Sequence, residues 1–348
     1  MKELYLDSNA HVSLSDAAKS IYNNFSHVGH PSALHMVGRK SALMYEQARA
    51  KIAELIGATS SNQIIFTSSC TQAAEWATKI FINSNTKPNK IYSPLEHVAV
   101  RDPIELNGCW QINVDLNGNL LENNFYKKSL CCIHSHNEFG TIQKFKNLNF
   151  DFLFSDMSQT LGKEKMNVTD LNVDLAIFGA HKFGGPTGVG FMYLKNPALW
   201  EEFGTGGRYF FDRSGTPDVL GVVATSVALE NAIQTLEQRQ TNMIEFHLTI
   251  EDGLEKRGAR ILAKNANRLK NTTFFYLKNL AADKMFKMSE KGIYFGLGSA
   301  CGSAHSDIST SLKAIGETGA FCDYARISSW GEYNKKDAEY FLDIFDKV

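Results

Sequence analysis

The chain contains no apolar run near the roughly 18 residues that a membrane-spanning helix needs, and Met1-Lys2-Glu3 does not open onto the apolar core of a signal peptide. Neither sign of charge is in excess: 36 Lys and Arg stand against 37 Asp and Glu, which leaves no field to attract a nucleic acid or a membrane surface. A cytoplasmic protein acting on small molecules is the expectation. The six cysteines (Cys70, Cys109, Cys131, Cys132, Cys301, Cys322) form no C-x-x-C pair and no zinc-ligand spacing, so they read as reduced thiols. No internal repeat, low-complexity tract or Pro/Ser-rich linker divides the chain, and any two domains should pack together. What is present is 348 residues, 43% of them hydrophobic, enough for a substantial core and for two domains.

From about residue 38 to 195, amphipathic stretches alternate with short apolar runs that end in polar residues. This is the pattern of βα units on a mostly parallel sheet, an α/β fold. The first clear helix is expected over Lys40–Ile56, with Met44, Ala48, Ile52, Leu55 and Ile56 on one face and Gly57 ending it. Strands are expected at 63–66, 90–93, 130–134, 152–155, 174–178 and 189–193. A long helix near Val219–Arg239 leads to a smaller α+β region with strands at 272–277, 292–295 and 325–328. The expected division is a large domain over 15–225 and a small one formed by 226–348 together with 1–14.

Open α/β sheets bind ligands beyond the carboxyl ends of their strands, so the polar clusters there are the candidate sites. In "FGAHKFGGPTGVG" (178–190) a strand ends at His181-Lys182 and a glycine-rich turn follows. A lysine so placed can form a Schiff base with an aldehyde cofactor; taken alone, it reads sooner as a surface lysine beside a hairpin. Upstream, Asp156 closes a strand and Gln159 follows. Pyridoxal 5′-phosphate (PLP) needs a carboxylate against its pyridine nitrogen, and the 26 residues from Asp156 to Lys182 span about one βαβ crossover; as a lone acid, Asp156 reads as a helix N-cap. "FTSSCTQAA" supplies a strand, a hydroxyl-rich turn and a helix starting near Thr71, with Ser68, Ser69, Cys70 and Thr71 small enough to cradle a phosphate or simply to cap the helix. His97 opens a helix and could lie on the cofactor ring or shuttle protons, where a lone histidine is otherwise structural. Asn137 could bond the ring hydroxyl or the substrate. His134 and His136 have no third ligand at sensible spacing, so no metal site is expected.

Taken in order, "YLDSNA" (5–10), "HPSALHMVGRK" (30–40), "IIFTSSCTQA", "EHVAV", "HNEFGTIQ", "DMSQTLGK", "VDLAIFGAHKFGGPTGVG", "RSGTPDV" (213–219), "GSACGSA" (298–304) and "ARIS" (325–328) resemble the cysteine desulfurases of the nitrogen-fixation and iron–sulfur-cluster type, within the class V aminotransferases. The resemblance runs nearly end to end and implies the PLP-dependent transferase fold of type I. It implies that Lys182 holds PLP covalently, that Asp156 and Gln159 contact the ring nitrogen and hydroxyl, and that His97 stacks on the ring. Thr71 and His181, with Cys70 in the same turn, would bind phosphate. Thr216 would reach the phosphate of a neighbouring subunit, which implies a homodimer. Asn9, Asn137 and Arg326 look like the substrate-side contacts. Cys301, in the small-residue segment Gly296 to Ala304, would take sulfur from L-cysteine as a persulfide, release L-alanine and pass the sulfur to an acceptor protein; Lys182 and His97 would carry protons.

The chain departs from the pattern in three places. Gly179 stands where a hydroxyl phosphate ligand is usual, His11-Val12 replace two threonines, and His30 replaces an asparagine. Only 22 residues follow Arg326, fewer than in relatives whose C-terminal tail docks a cluster scaffold, so that partner is not assumed. Two other readings fit the same residues: another class V PLP enzyme, such as a selenocysteine lyase or aminotransferase, or a catalytically retired homologue serving as a dimeric interaction protein.

Overall fold

The computed structural model describes residues 2–25, 28–84, 89–122, 124–146, 148–203, 215–280, 282–297 and 308–348. Cys301 with its segment 298–304, and Arg213 and Ser214 before Thr216, lie outside the described residues.

In chain order the strands are β1 (Leu4–Leu6), β2 (Ile64–Thr67), β3 (Lys90–Tyr92), β4 (Trp110–Gln111), β5 (Ser129–Cys131), β6 (Phe152–Asp156), β7 (Leu175–Gly179), β8 (Gly190–Leu194), β9 (Arg260–Ile261), β10 (Thr272–Tyr276), β11 (Ile293–Leu297) and β12 (Tyr324–Ser328). The helices are α1 (Asp16–Asn24), α2 (Met36–Ile56), α3 (Cys70–Asn83), α4 (Val98–Leu106), α5 (Ala198–Phe203), α6 (Val219–Gln234), α7 (Leu236–Glu255), α8 (Ala282–Glu290), α9 (Thr310–Ala314) and α10 (Lys335–Lys347). Seven strands form one sheet in the order β2-β8-β7-β6-β5-β3-β4, and the other five form a second in the order β1-β11-β12-β10-β9.

The larger sheet is parallel from β7 through β4, and β8 runs antiparallel between β2 and β7. Its central strands, FLFSD, LAIFG and GFMYL, are buried at every residue, as strands covered on both faces must be. Alternate residues feed two cores. Leu153, Ala176 and Phe178 pack with α1, α2 and α6, whereas Phe154, Leu175 and Ile177 pack with α3 and α4. The α/β fold expected from the sequence is the fold observed.

The element ends differ locally, for identifiable reasons. α2 starts at Met36, four residues before the expected Lys40, because the His35 ring caps it by accepting from the Gly38 N–H; Gly57, at φ 75°, ends it as expected. The expected single helix over Val219–Arg239 is two, α6 and α7, bent by 64°. Arg239 stabilises the break: its Nη2 donates to the Ala232 carbonyl at the end of α6, and its Nε donates to the Thr235 hydroxyl. β5 ends at Cys131 rather than His134, so His134 and His136 lie in the following loop. Residues near the N-terminus return to the smaller sheet, where β1 pairs parallel with β11. Among the described residues, no single helix is long and apolar enough to cross a membrane.

Candidate active site

The strands of the larger sheet deliver their polar ends to one place. β2 runs into the first turn of α3, β3 into His97 at the N-cap of α4, β5 into the loop of Asn137, β6 ends on Asp156, and β7 leads through a single turn to His181 and Lys182. The smaller sheet adds Arg326 from β12 and Asn9-Ala10 after β1. These residues, with Cys70, Thr71, Ser158 and Gln159, line one open cleft. Of the residues singled out in the sequence, Thr216 stands apart, with its hydroxyl 3.4 Å from His30 Nε2.

Asn9 is the hub where the two sheets meet. Its backbone carbonyl accepts from Lys182 Nζ at 2.7 Å and from Gln159 Nε2 at 2.9 Å, and the Ala10 carbonyl accepts from Lys182 Nζ at 2.9 Å. Its side chain is fully engaged. The amide nitrogen donates to the Asn137 carbonyl and the Thr272 hydroxyl, and the amide oxygen accepts from Lys163 Nζ and Asn271 Nδ2. Asn9, expected on the substrate side, therefore offers its surroundings a structural node rather than spare bonding capacity. Gln159 joins the same network, its Oε1 accepting from Lys163 and one Nε2 hydrogen going to the Asn9 carbonyl, which leaves its second N–H for a ligand.

Asp156 is buried, and its Oδ1 accepts from the Ser158 N–H at 2.9 Å, which fixes the carboxylate at the strand end. Arg326 is 2% exposed; Nη2 pairs with Asp7 at 2.6 Å and Nη1 donates to the Asn137 carbonyl at 2.9 Å, while Nε is buried without a hydrogen-bond partner among the described residues. Burial and the nearby Asp156 charge push the Cys70 thiol up to about 12, and its Sγ lies 3.0 Å from the Ser158 hydroxyl. Cys131 and Cys132 are raised well above the usual range by burial. None of these three thiols is ionised near neutral pH, so none is a ready nucleophile.

The departures noted in the sequence acquire a geometry. A Cβ on Gly179 would lie 3.1 Å from both Cys70 Cβ and His181 Cε1, so those two side chains take the space of a larger residue. His11 stacks on His181, with centroids 5.9 Å apart and planes 14° apart. Burial first, then the Lys182, His11 and Lys163 charges, hold His181 down to about 4, a neutral ring. His134 bonds the Thr160 hydroxyl at 2.8 Å and His136 the Ser311 hydroxyl at 3.1 Å, and burial lowers them to about 4 and about 3. No group of three metal-binding side chains exists among the described residues.

A model of the class V aminotransferases matches residues 4–338. The chain belongs to the class V aminotransferase family. Its relatives include a cysteine desulfurase IscS of Dictyoglomus turgidum, 30% identical, with all of this chain and 94% of that protein aligned. A cysteine desulfurase IscS of Clostridium botulinum strain Kyoto is 26% identical over the same shares. Among solved structures, a NifS-like protein superposes with a TM-score of 0.87 at 26% identity over 99% of both chains. A NifS-like protein of Rickettsia africae gives 0.85 at 24% identity over 99% of both, which speaks to the fold alone.

Class V aminotransferases are PLP enzymes, and the donor set of this cleft fits that group. It holds a lysine amine, a buried carboxylate at a strand end, an imidazole at a helix cap and the amide end of a 14-residue helix. The helix end is held tightly: a Cβ on Gly190 would clash with the Ser69 carbonyl carbon and lie 2.7 Å from the Cys70 nitrogen, so only glycine lets β8 approach the turn. Ser158, Asp7 and Lys163 escaped the sequence reading of the site. Lys163 carried one signal, a lysine four residues after Gln159 and next to a glycine, inside a motif already quoted.

Proposed function

We infer that this class V enzyme is a cysteine desulfurase, which moves sulfur from L-cysteine to Cys301 and releases L-alanine. The observation that carries the reading is the cleft itself, in which Lys182, Asp156, His97 and the α3 terminus converge with Arg326, joined to full-length similarity to cysteine desulfurases.

Lys182, Asp156, Gln159, His97, Cys70, Thr71 and His181 are the residues that would hold PLP. Once bound, PLP supplies an electron sink for the pair left when the substrate Cα–H bond breaks. The chain's own groups do the rest. The carbonyls of Asn9 and Ala10 aim the Lys182 amine into the cleft, where Nζ can take the Cα proton and return it. Asp156 supplies a fixed negative charge at the cleft floor. Amides at the first turn of α3 have no acceptor within the helix and favour a phosphate. Arg326, beside Asn137, presents a guanidinium fork to the substrate carboxylate. His97, at the cleft wall, is placed to move a proton to or from the departing group. The Cys301 thiolate attacks the substrate sulfur, so the Cβ–S bond breaks as an S–S bond forms; the enzyme thiol and L-cysteine become a persulfide and L-alanine, with all protons retained. The persulfide then goes to an acceptor protein.

A homodimer belongs to this reading, with Thr216 facing the partner's phosphate. Support comes from Leu34, Met36 and Leu43, which are exposed around the segment of His30, itself in contact with Thr216. The large (15–225) and small (1–14 with 226–348) domains, supported by two sheets that share no strand, and a cytoplasmic location complete it. The test is to supply purified protein with L-cysteine and a reductant. Sulfide and L-alanine should appear in equal amounts and disappear in Cys301→Ser. Alanine formed without dependence on Cys301 would place the chain with other class V enzymes.

A further inference from the structure

Lys163 is a buried side chain for which the reading above has no use. It is 1% exposed, yet among the described residues no carboxylate lies against it. Its Nζ donates to two neutral acceptors, Asn9 Oδ1 at 2.8 Å and Gln159 Oε1. Burial first, and then Lys182, Arg326 and Arg239, hold its pKa well below the usual lysine range. The amine carries donors enough for both acceptors. A methionine would fill the same space without the cost of desolvating an amine, so the sequence retains the polar group against its packing interest.

The geometry continues from these two bonds to Lys182. With Gln159 Oε1 engaged by Lys163, Gln159 Nε2 is turned to the Asn9 carbonyl, and that carbonyl is the one that receives Lys182 Nζ. The loop reaches the same place by packing. Gly162, at φ 77°, turns the chain so that its Cβ position lies 2.9 Å from Cβ of Phe183, the residue after Lys182. Lys163 thus grips both Asn9, from the N-terminal segment, and Gln159, from the loop after β6.

We propose that Lys163 is a positioning residue of this site, which fixes Asn9 and Gln159 and, through the Asn9 carbonyl, sets where the Lys182 amine stands to receive the cofactor. It touches neither substrate nor reacting atoms, and it rests on the reading that Lys182 bonds PLP. Apoprotein of wild type, Lys163→Met and Lys163→Gln is mixed with PLP. Quenching of tryptophan fluorescence reports affinity, and the visible band of Lys182-linked cofactor reports bond formation.

The expected result for Lys163→Met is affinity close to wild type, with the Lys182-dependent band forming about tenfold more slowly, the scale of one lost hydrogen bond. Lys163→Gln, which keeps an amide donor on a shorter side chain, should fall between the two, and it serves as the readout where Lys163→Met does not fold. Band formation as fast as wild type in the folded variants overturns the proposal. So does a parallel loss of affinity, band and thermal stability, which is the mark of a merely structural lysine. Failure of the wild type to form any Lys182-dependent band is a different outcome, which removes the PLP reading itself.

Discussion

Gly190→Ala would place a methyl group against backbone that cannot step aside. The added Cβ falls on the Ser69 carbonyl carbon, 2.6 Å from the Ser69 oxygen and 2.7 Å from the Cys70 nitrogen. Gly190 pairs with Thr67 on one side and Gly179 on the other, so β8 is pinned between β2 and β7. The clash is relieved only by moving the turn that opens α3. Overpacking of this kind costs about 1–3 kcal/mol. If the first-turn amides of α3 bind phosphate, a displacement that loses one charge-assisted bond should weaken PLP about tenfold to a hundredfold. The control is Gly188→Ala in the turn just before β8, where φ is 79° but no atom lies within 4 Å of the added Cβ. That variant pays a backbone penalty of about 1–2 kcal/mol without touching the α3 turn. Thermal unfolding and PLP titration of both variants give the comparison: both should lose a few degrees, but only Gly190→Ala should lose affinity. Wild-type affinity in a destabilised Gly190→Ala would refute the assignment of this turn to the phosphate.

Other outcomes follow from the same geometry. Asp156→Asn keeps the shape and the Ser158 bond but removes the charge, and sulfide production should fall by about tenfold to a hundredfold while the Lys182-dependent band persists. Turnover close to wild type would deny Asp156 its role. Arg326→Lys cannot hold Asp7 and the Asn137 carbonyl while also presenting a fork to a carboxylate, so KM for L-cysteine should rise about tenfold or more with a smaller change in kcat. Iodoacetamide near neutral pH should spare Cys70, Cys131 and Cys132, whose thiols burial keeps protonated; with Cys70 at about 12, its thiolate appears only as pH rises toward that value. Peptide mapping checks this, and rapid labelling of Cys70 would show the cleft to be more polar than described.

The α/β fold was legible because its signals are local. Runs such as FLFSD and LAIFG are apolar throughout and end in polar residues, which locates both strands and the edge on which Asp156 and Lys182 sit. Features made by distant partners were not legible. Asn9 bonds residues more than 250 positions away, Thr272 and Asn271, so its spent side chain is invisible to any reading of YLDSNA. The break between α6 and α7 depends on Arg239, whose partners include the distant Gly162 carbonyl, and the apolar pattern there continues without a Pro or Gly to mark the bend. β4 escaped because Trp110–Gln111 is a two-residue, exposed edge with no burial pattern. Lys163 was hidden for the opposite reason, since a lysine ordinarily signals surface and this one is buried by tertiary contacts alone.

The most direct test of the central claim is the mass of the cysteine-containing peptides after brief exposure of the PLP-loaded enzyme to L-cysteine, with no reductant present. One added sulfur atom is expected on the peptide of Cys301, absent in Lys182→Ala and removed by subsequent reduction. Added sulfur on a different cysteine, or none on Cys301 while L-alanine accumulates, would contradict it.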